Sequence, residues 1–267
     1  MIPGSLNDGR ADILQAMTAH LPGAEPWSHV GSGSHGALVI HGFTSVPASM
    51  RGVADGFAAA GFHVELPLLP GHGTQLDDLV PMRWADWLAE VEAAYARLAA
   101  RTDKIVVAGL SLGGALTLRI GANHPEVAGL VCVNPAAQPQ PPEVVAMVQD
   151  MIAGGMVTMD AIGSDIADPD AKEITYDATP IAALISIAVD GLAPLAEEYG
   201  SMTMPLLLLN SPQDHVVEPS QGDYLAAHYG GPVQRILLER SYHVATQDYD
   251  KQLIFDSAVE FALKVTA

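Results

Sequence analysis

Gly109-Leu110-Ser111-Leu112-Gly113 constrains this chain more than any other stretch. A β-branched run, Lys104-Ile105-Val106-Val107-Ala108, precedes it, and an amphipathic run over residues 114–123 follows. The order is strand, tight turn, helix, with serine at the middle of the turn. Such a serine is displayed on a sharp corner in strained backbone, and its flanks need residues without side chains so that neighbouring backbone can approach. The helix beginning just after Ser111 aims unpaired N–H groups at any negative charge that develops beside the hydroxyl.

The rest of the chain alternates strands and helices around this corner. Strand patterns are expected at residues 36–41, 62–66, 128–133, 205–209 and 233–238, and helix patterns at 47–60, 83–101, 219–228 and 250–265. That alternation implies an α/β fold: a mostly parallel sheet with helices on both faces, its ligand bound beyond the carboxyl ends of the strands. His41-Gly42-Phe43, Ser111 and Asn134 all fall at such ends. The pattern stops near Ala136 and resumes after Gly200. The organisation expected is therefore an N-terminal extension over residues 1–22, with a helix at 10–20, a core over 23–136 and 201–267, and an insertion over 137–200. The insertion has no clear buried strand and carries Met147, Met151, Met156 and Met159, so a small helical cap over the sheet edge is expected, its flexible methionines suited to an adaptable lipid pocket.

Bulk properties narrow the partners. With 267 residues, 49% hydrophobic and 16% charged, the chain can bury a full α/β core. A net charge of −19 offers no basic stripe for nucleic acid or for an anionic membrane surface. Cys132, the single cysteine, lies in an apolar strand pattern and excludes an internal disulfide. No apolar run approaches the roughly 18 residues of a bilayer span, and no basic-then-apolar leader is evident, so a cytoplasmic protein is expected. The ten histidines form no H-x-x-x-H pair, and no C-x-x-C or glycine-rich phosphate loop occurs, so no metal is expected.

A serine hydroxyl becomes a nucleophile only when a base takes its proton and a third group orients that base. Asp214 follows the strand pattern at 205–209, and His243 follows the next. Ser111, Asp214 and His243 thus come in the chain order of a strand-corner triad. His215 and His228 suit turn or surface roles, His124 suits the end of the helix after Ser111, where it offsets the dipole, and Asp248 and Asp250 suit capping or the dipole at the start of the last helix. Two N–H donors for an oxyanion are expected from Leu112 and Phe43, with His41 bracing the loop that carries Phe43.

His41-Gly42-Phe43-Thr44, Pro70-Gly71-His72-Gly73-Thr74, residues 109–114, Asp214-His215-Val216-Val217 and Ser241-Tyr242-His243-Val244-Ala245-Thr246 together resemble the bacterial monoacylglycerol lipases of the α/β-hydrolase superfamily. Gly23-Ala24-Glu25-Pro26 and Ile162-Gly163-Ser164-Asp165 extend the likeness from about Gly23 to the C-terminus. The resemblance implies an α/β-hydrolase fold and a serine hydrolase that needs no cofactor. Its substrate would be a small lipid ester, most of all monoacylglycerol, with only transient contact with lipid surfaces. It also implies that Glu173, in the cap, recognises glycerol and that Ile162 lines the pocket. A carboxylesterase for short or aromatic esters, and a non-catalytic receptor on the same fold, remain the alternatives, and the oligomeric state is open.

Overall fold

The computed structural model describes residues 20–161 and 163–267. All but His20 of the helix expected over residues 10–20, and Ile162, lie outside the described residues. In chain order come β1 (Trp27–His29), β2 (His35–Ile40), a 3-10 turn (Pro47–Met50) running into α1 (Arg51–Ala59), and β3 (His63–Leu66). Then follow α2 (Leu76–Leu79), α3 (Trp84–Ala99), β4 (Lys104–Leu110), α4 (Leu112–Asn123) and β5 (Gly129–Val133). The insertion holds α5 (Pro142–Ala153), β6 (Thr158–Asp160), β7 (Ala178–Pro180), α6 (Ile181–Ser186), a π-helical stretch (Ile187–Leu192) and α7 (Ala193–Ala196). Last come β8 (Leu206–Asn210), α8 (Ser220–His228), β9 (Val233–Leu237) and α9 (Lys251–Thr266).

Among the described residues the main sheet has seven strands in the order β1-β3-β2-β4-β5-β8-β9. All pair in parallel except β1, which runs antiparallel to β3. The central strands are apolar on both faces because both faces are covered. In β2, Ala37 and Val39 pack with Val53 and Phe57 of α1 and Ile254, Ala258 and Phe261 of α9. The alternate residues, Leu38 and Ile40, join Trp87, Val91 and Leu98 of α3 and Leu116 and Ile120 of α4 on the other face. No described helix is long and apolar enough to cross a membrane.

Two expectations are corrected, and one strand is added. Strand β1 was not foreseen: three half-exposed residues carry no pattern, and pairing with β3 is what makes them a strand. The insertion is not purely helical, since β6 and β7 form an antiparallel ribbon and the described residues between them contain no helix. Nor do its methionines build the pocket: Met147, Met156 and Met159 are 56, 44 and 43% exposed.

Candidate active site

Ser111 stands on the corner between β4 and α4 with φ 56° and ψ −115°, in the left-handed half of backbone space. The two flanking glycines are required by close approach. A Cβ on Gly109 would lie 2.1 Å from the Gly113 carbonyl oxygen, and one on Gly113 would lie 2.2 Å from the Ile40 carbonyl oxygen. Apart from glycines, the described residues with positive φ are Ser111, Thr44 (φ 61°) and Asn134 (φ 42°), which end or follow β4, β2 and β5. Strain of this kind persists only where surrounding structure imposes it, and here it clusters at one end of the sheet.

Asp214 leaves the end of β8, and His243 follows β9. Their side chains are buried and joined, His243 Nδ1 to Asp214 Oδ2, at 2.7 Å. The other Asp214 oxygen accepts the N–H groups of Val216 and Val217 at 2.9 and 2.8 Å, which fixes the carboxylate so that it faces the ring. Asn134 ties this arrangement together. Its Nδ2 donates to the Ser211 hydroxyl at 3.0 Å and to the His243 carbonyl at 2.8 Å, and its Oδ1 accepts the Ser211 N–H at 2.7 Å.

Two cavities meet at Ser111. One, of about 280 Å³, is walled by Phe43, Leu112, Val148, Ile187, Leu192 and Val217 among others, so it is chiefly apolar. The other is smaller and is lined by Ser45, Glu173 and His243 as well as by Gly42, Phe43 and Val216. Burial pushes the Glu173 carboxyl above its ordinary range, and the nearby Ser45 hydroxyl and His243 ring offset part of that shift. The Ser45 hydroxyl is itself buried and without a hydrogen-bond partner at good geometry among the described residues.

Leu112 is the first residue of α4, so its N–H has no acceptor within the helix. Phe43 sits on the turn after β2, which His41 braces. The Leu69 N–H donates to His41 Nε2 at 3.1 Å, leaving Nδ1 to donate to the Gly42 carbonyl at 2.9 Å. One tautomer satisfies both bonds. Full burial, together with the His72 ring at a centroid distance of 5.1 Å, takes the His41 pKa down to about 3. Burial takes His72 down to about 4.

The rival histidines lie elsewhere. His124 pairs with Glu92 at 2.7 Å, His228 is exposed and stacks on Tyr224, and His215 is exposed and pairs with Asp165 at 2.8 Å. Asp250 stands at the N-cap position of α9, but its side chain makes no bond to the helix. The Asp250 side chain turns back to Arg240 N and Ser241 Oγ, and Asp248 is fully buried. Sequence reasoning left Ser45, Asp165 and Asp248 without a role in the site; for Asp165 the available signal was its place in the Ile162-Gly163-Ser164-Asp165 motif. Ile162 lies outside the described residues, and Glu173 is on the wall of the smaller cavity.

A parallel sheet carrying a strained serine on a strand-to-helix corner defines an α/β-hydrolase. The family model Hydrolase_4, described as serine aminopeptidase S33, matches residues 35–250, and the chain belongs to that family of serine hydrolases. It is 39% identical over 247 residues to the thermostable monoacylglycerol lipase of Bacillus sp. (strain H-257), covering 91% of this chain and 96% of that one. A carboxylesterase of Bacillus subtilis (strain 168) is 24% identical over 235 residues, covering 87 and 94%. Among solved structures, a chain from work on the metagenome-derived lipolytic enzymes LipS and LipT superposes with a TM-score of 0.86 at 38% identity, covering 92% of this chain and all of that one.

Proposed function

We propose that this serine hydrolase cleaves carboxylic esters, and monoacylglycerol above all, to a free fatty acid and glycerol. The observation that carries the reading is the pair of cavities at Ser111. The apolar one suits an acyl chain, and the smaller one offers the half-buried Glu173 carboxylate and the Ser45 hydroxyl to a polyhydric alcohol. The 39% identical lipase and the lipolytic structural relative support the same substrate class.

In this reading Ser111 Oγ attacks the ester carbonyl while His243 takes its proton. Asp214 holds the imidazole tautomer and stabilises the imidazolium. The N–H groups of Phe43 and Leu112 receive the oxyanion. His243 returns the proton to the glyceryl oxygen, which leaves. Water then attacks the acyl-enzyme by the same route in reverse. Glu173 binds the glycerol hydroxyls, and the resemblance assigns Ile162 to the lining of the pocket. Residues 137–200 act as a cap on a core formed by 23–136 and 201–267. The exposed Met147, Met156, Met159 and Val157 of that cap suit brief contact with an uncharged lipid surface.

The test is hydrolysis of mono-, di- and triacylglycerols side by side with a p-nitrophenyl ester of equal chain length. Monoacylglycerol should be the best glyceride, because further acyl chains remove the hydroxyl donors and crowd the smaller cavity. A hydrogen bond to a charged group contributes about 1.5–3 kcal/mol, so Glu173→Gln should lower kcat/KM for monoacylglycerol roughly ten- to a hundred-fold. The p-nitrophenyl ester, which has no hydroxyls, should be spared. Equal losses on both substrates would point to cap damage instead, and a preference for short p-nitrophenyl esters over every glyceride would favour the carboxylesterase reading.

A further inference from the structure

Asp165, in the insertion, meets both loops that carry the histidine and the aspartate. Its Oδ2 accepts the backbone N–H of His243 and of His215, each at 3.1 Å, and its Oδ1 accepts His215 Nδ1–H at 2.8 Å. Its main-chain carbonyl accepts the Val244 N–H at 3.0 Å. On the other side of His243, Asn134 of the core holds the carbonyl at 2.8 Å. Thus the backbone N–H and C=O of His243 are both held by side chains, one from the cap and one from the sheet. Asp248 repeats the device nearby: its buried carboxylate accepts the N–H groups of Ala167 and Asp168 in the insertion and of Tyr242 beside His243, at 2.8 to 3.0 Å.

We propose that Asp165 is a positioning residue for the ester hydrolysis: it sets the placement of the His243 ring through that residue's backbone, and makes a correctly placed base depend on a seated cap. The proposal rests on the reading of His243 as base and Asp214 as its orienting acid. Asp165 lies on the wall of neither cavity at Ser111, so it acts through His243 and not on substrate. Three N–H donors converge on its two oxygens, and an asparagine has only one acceptor atom for them. In Asp165→Asn one oxygen can still accept both backbone N–H groups while the amide faces the His215 ring in its other tautomer, so the bonds persist on a weaker, neutral acceptor; in Asp165→Ser the shorter hydroxyl loses them and the loop moves. Misplacement of a reacting group by about 1 Å can cost roughly a hundred-fold.

The experiment is steady-state hydrolysis of a p-nitrophenyl ester by wild type, Asp165→Asn, Asp165→Ser and His215→Ala, with rates expressed per site titrated by a fluorophosphonate. Per-site rates keep a partly unfolded preparation informative. Asp165→Ser should lose roughly ten- to a hundred-fold in kcat with KM little changed, and Asp165→Asn less. The low-field proton resonance of the His243–Asp214 hydrogen bond should shift or broaden in them. His215→Ala keeps the carboxylate and the His243 N–H bond, so it should lose much less. Wild-type kcat per site in both Asp165 variants overturns the proposal. So does a rise in KM alone, or a loss in His215→Ala as large as theirs. His243→Ala in the same assay separates the two failures. An active His243→Ala enzyme overturns the choice of base, whereas an inactive one beside a full-rate Asp165→Ser overturns only the role of Asp165.

Discussion

His243 and Asp214 are joined by a short, buried contact, and His243 shares a cavity wall with Ser111, so as the proposed triad the three should fail as a unit. Ser111→Ala and His243→Ala should each lower kcat by about 10⁴ or more while leaving the fold intact, and Asp214→Asn somewhat less; turnover beside circular dichroism checks both halves. Glu173 has a different signature. Burial raises its folded value above that of the unfolded chain. The protonated form is thus favoured by folding, and that contribution is lost as pH rises through the raised value. At neutral pH the ionised carboxylate is a cost that Gln does not carry. Thermal melts should place Glu173→Gln above wild type at neutral pH, with the gap closing in acid, even as the variant loses monoacylglycerol turnover. A lower melting temperature at neutral pH would contradict this.

At the scale of elements, the corner between β4 and α4 is the least forgiving. Gly113 faces the backbone of β2, where a methyl group would meet the Ile40 carbonyl at 2.2 Å. Gly113→Ala should therefore displace the corner and cost activity at least as severely as it costs stability, although alanine is the better helix former by about 1 kcal/mol. Fluorophosphonate labelling of the folded variant checks it. This corner was legible because glycine spacing, a β-branched run and an amphipathic run all state the same geometry locally. So were β2, β5 and β8, whose apolar runs reflect a sheet covered on both faces. The insertion was not legible. Its ribbon has three residues per strand, too few for a pattern, and Asp165 and Asp248 matter only through N–H groups up to 81 residues away in the chain. Four methionines suggested a pocket wall, but Val148, Ile187 and Leu192 supply it, because α5 has apolar residues on both its inner and its outer face.

Across the whole molecule, the buried pair His41 and His72 should make the fold sensitive to acid. Their folded values, about 3 and about 4, lie below the ordinary 6.5 of an unfolded chain. Above pH 6.5 the stability is fully present. As pH falls from 6.5 toward these values the unfolded chain takes up protons that the fold refuses, and each histidine removes about 1.4 kcal/mol per pH unit. Melting temperature should fall steeply between pH 6.5 and 4, and His72→Gln, which can still donate to the Pro70 carbonyl, should make that slope shallower. An unchanged slope would move the acid sensitivity elsewhere.

One contact bears on how such a molecule diversifies. The Tyr199 hydroxyl donates to the Ala137 carbonyl at 2.8 Å, so the insertion leaves the sheet and returns to it at nearly one point. A segment anchored in that way can be exchanged like a tool on a fixed handle: the strands need not lengthen, shift or break to accept another. If the proposed role of Asp165 holds, a transplanted replacement would also have to bring its counterpart, since the handle itself grips His243 only by its carbonyl.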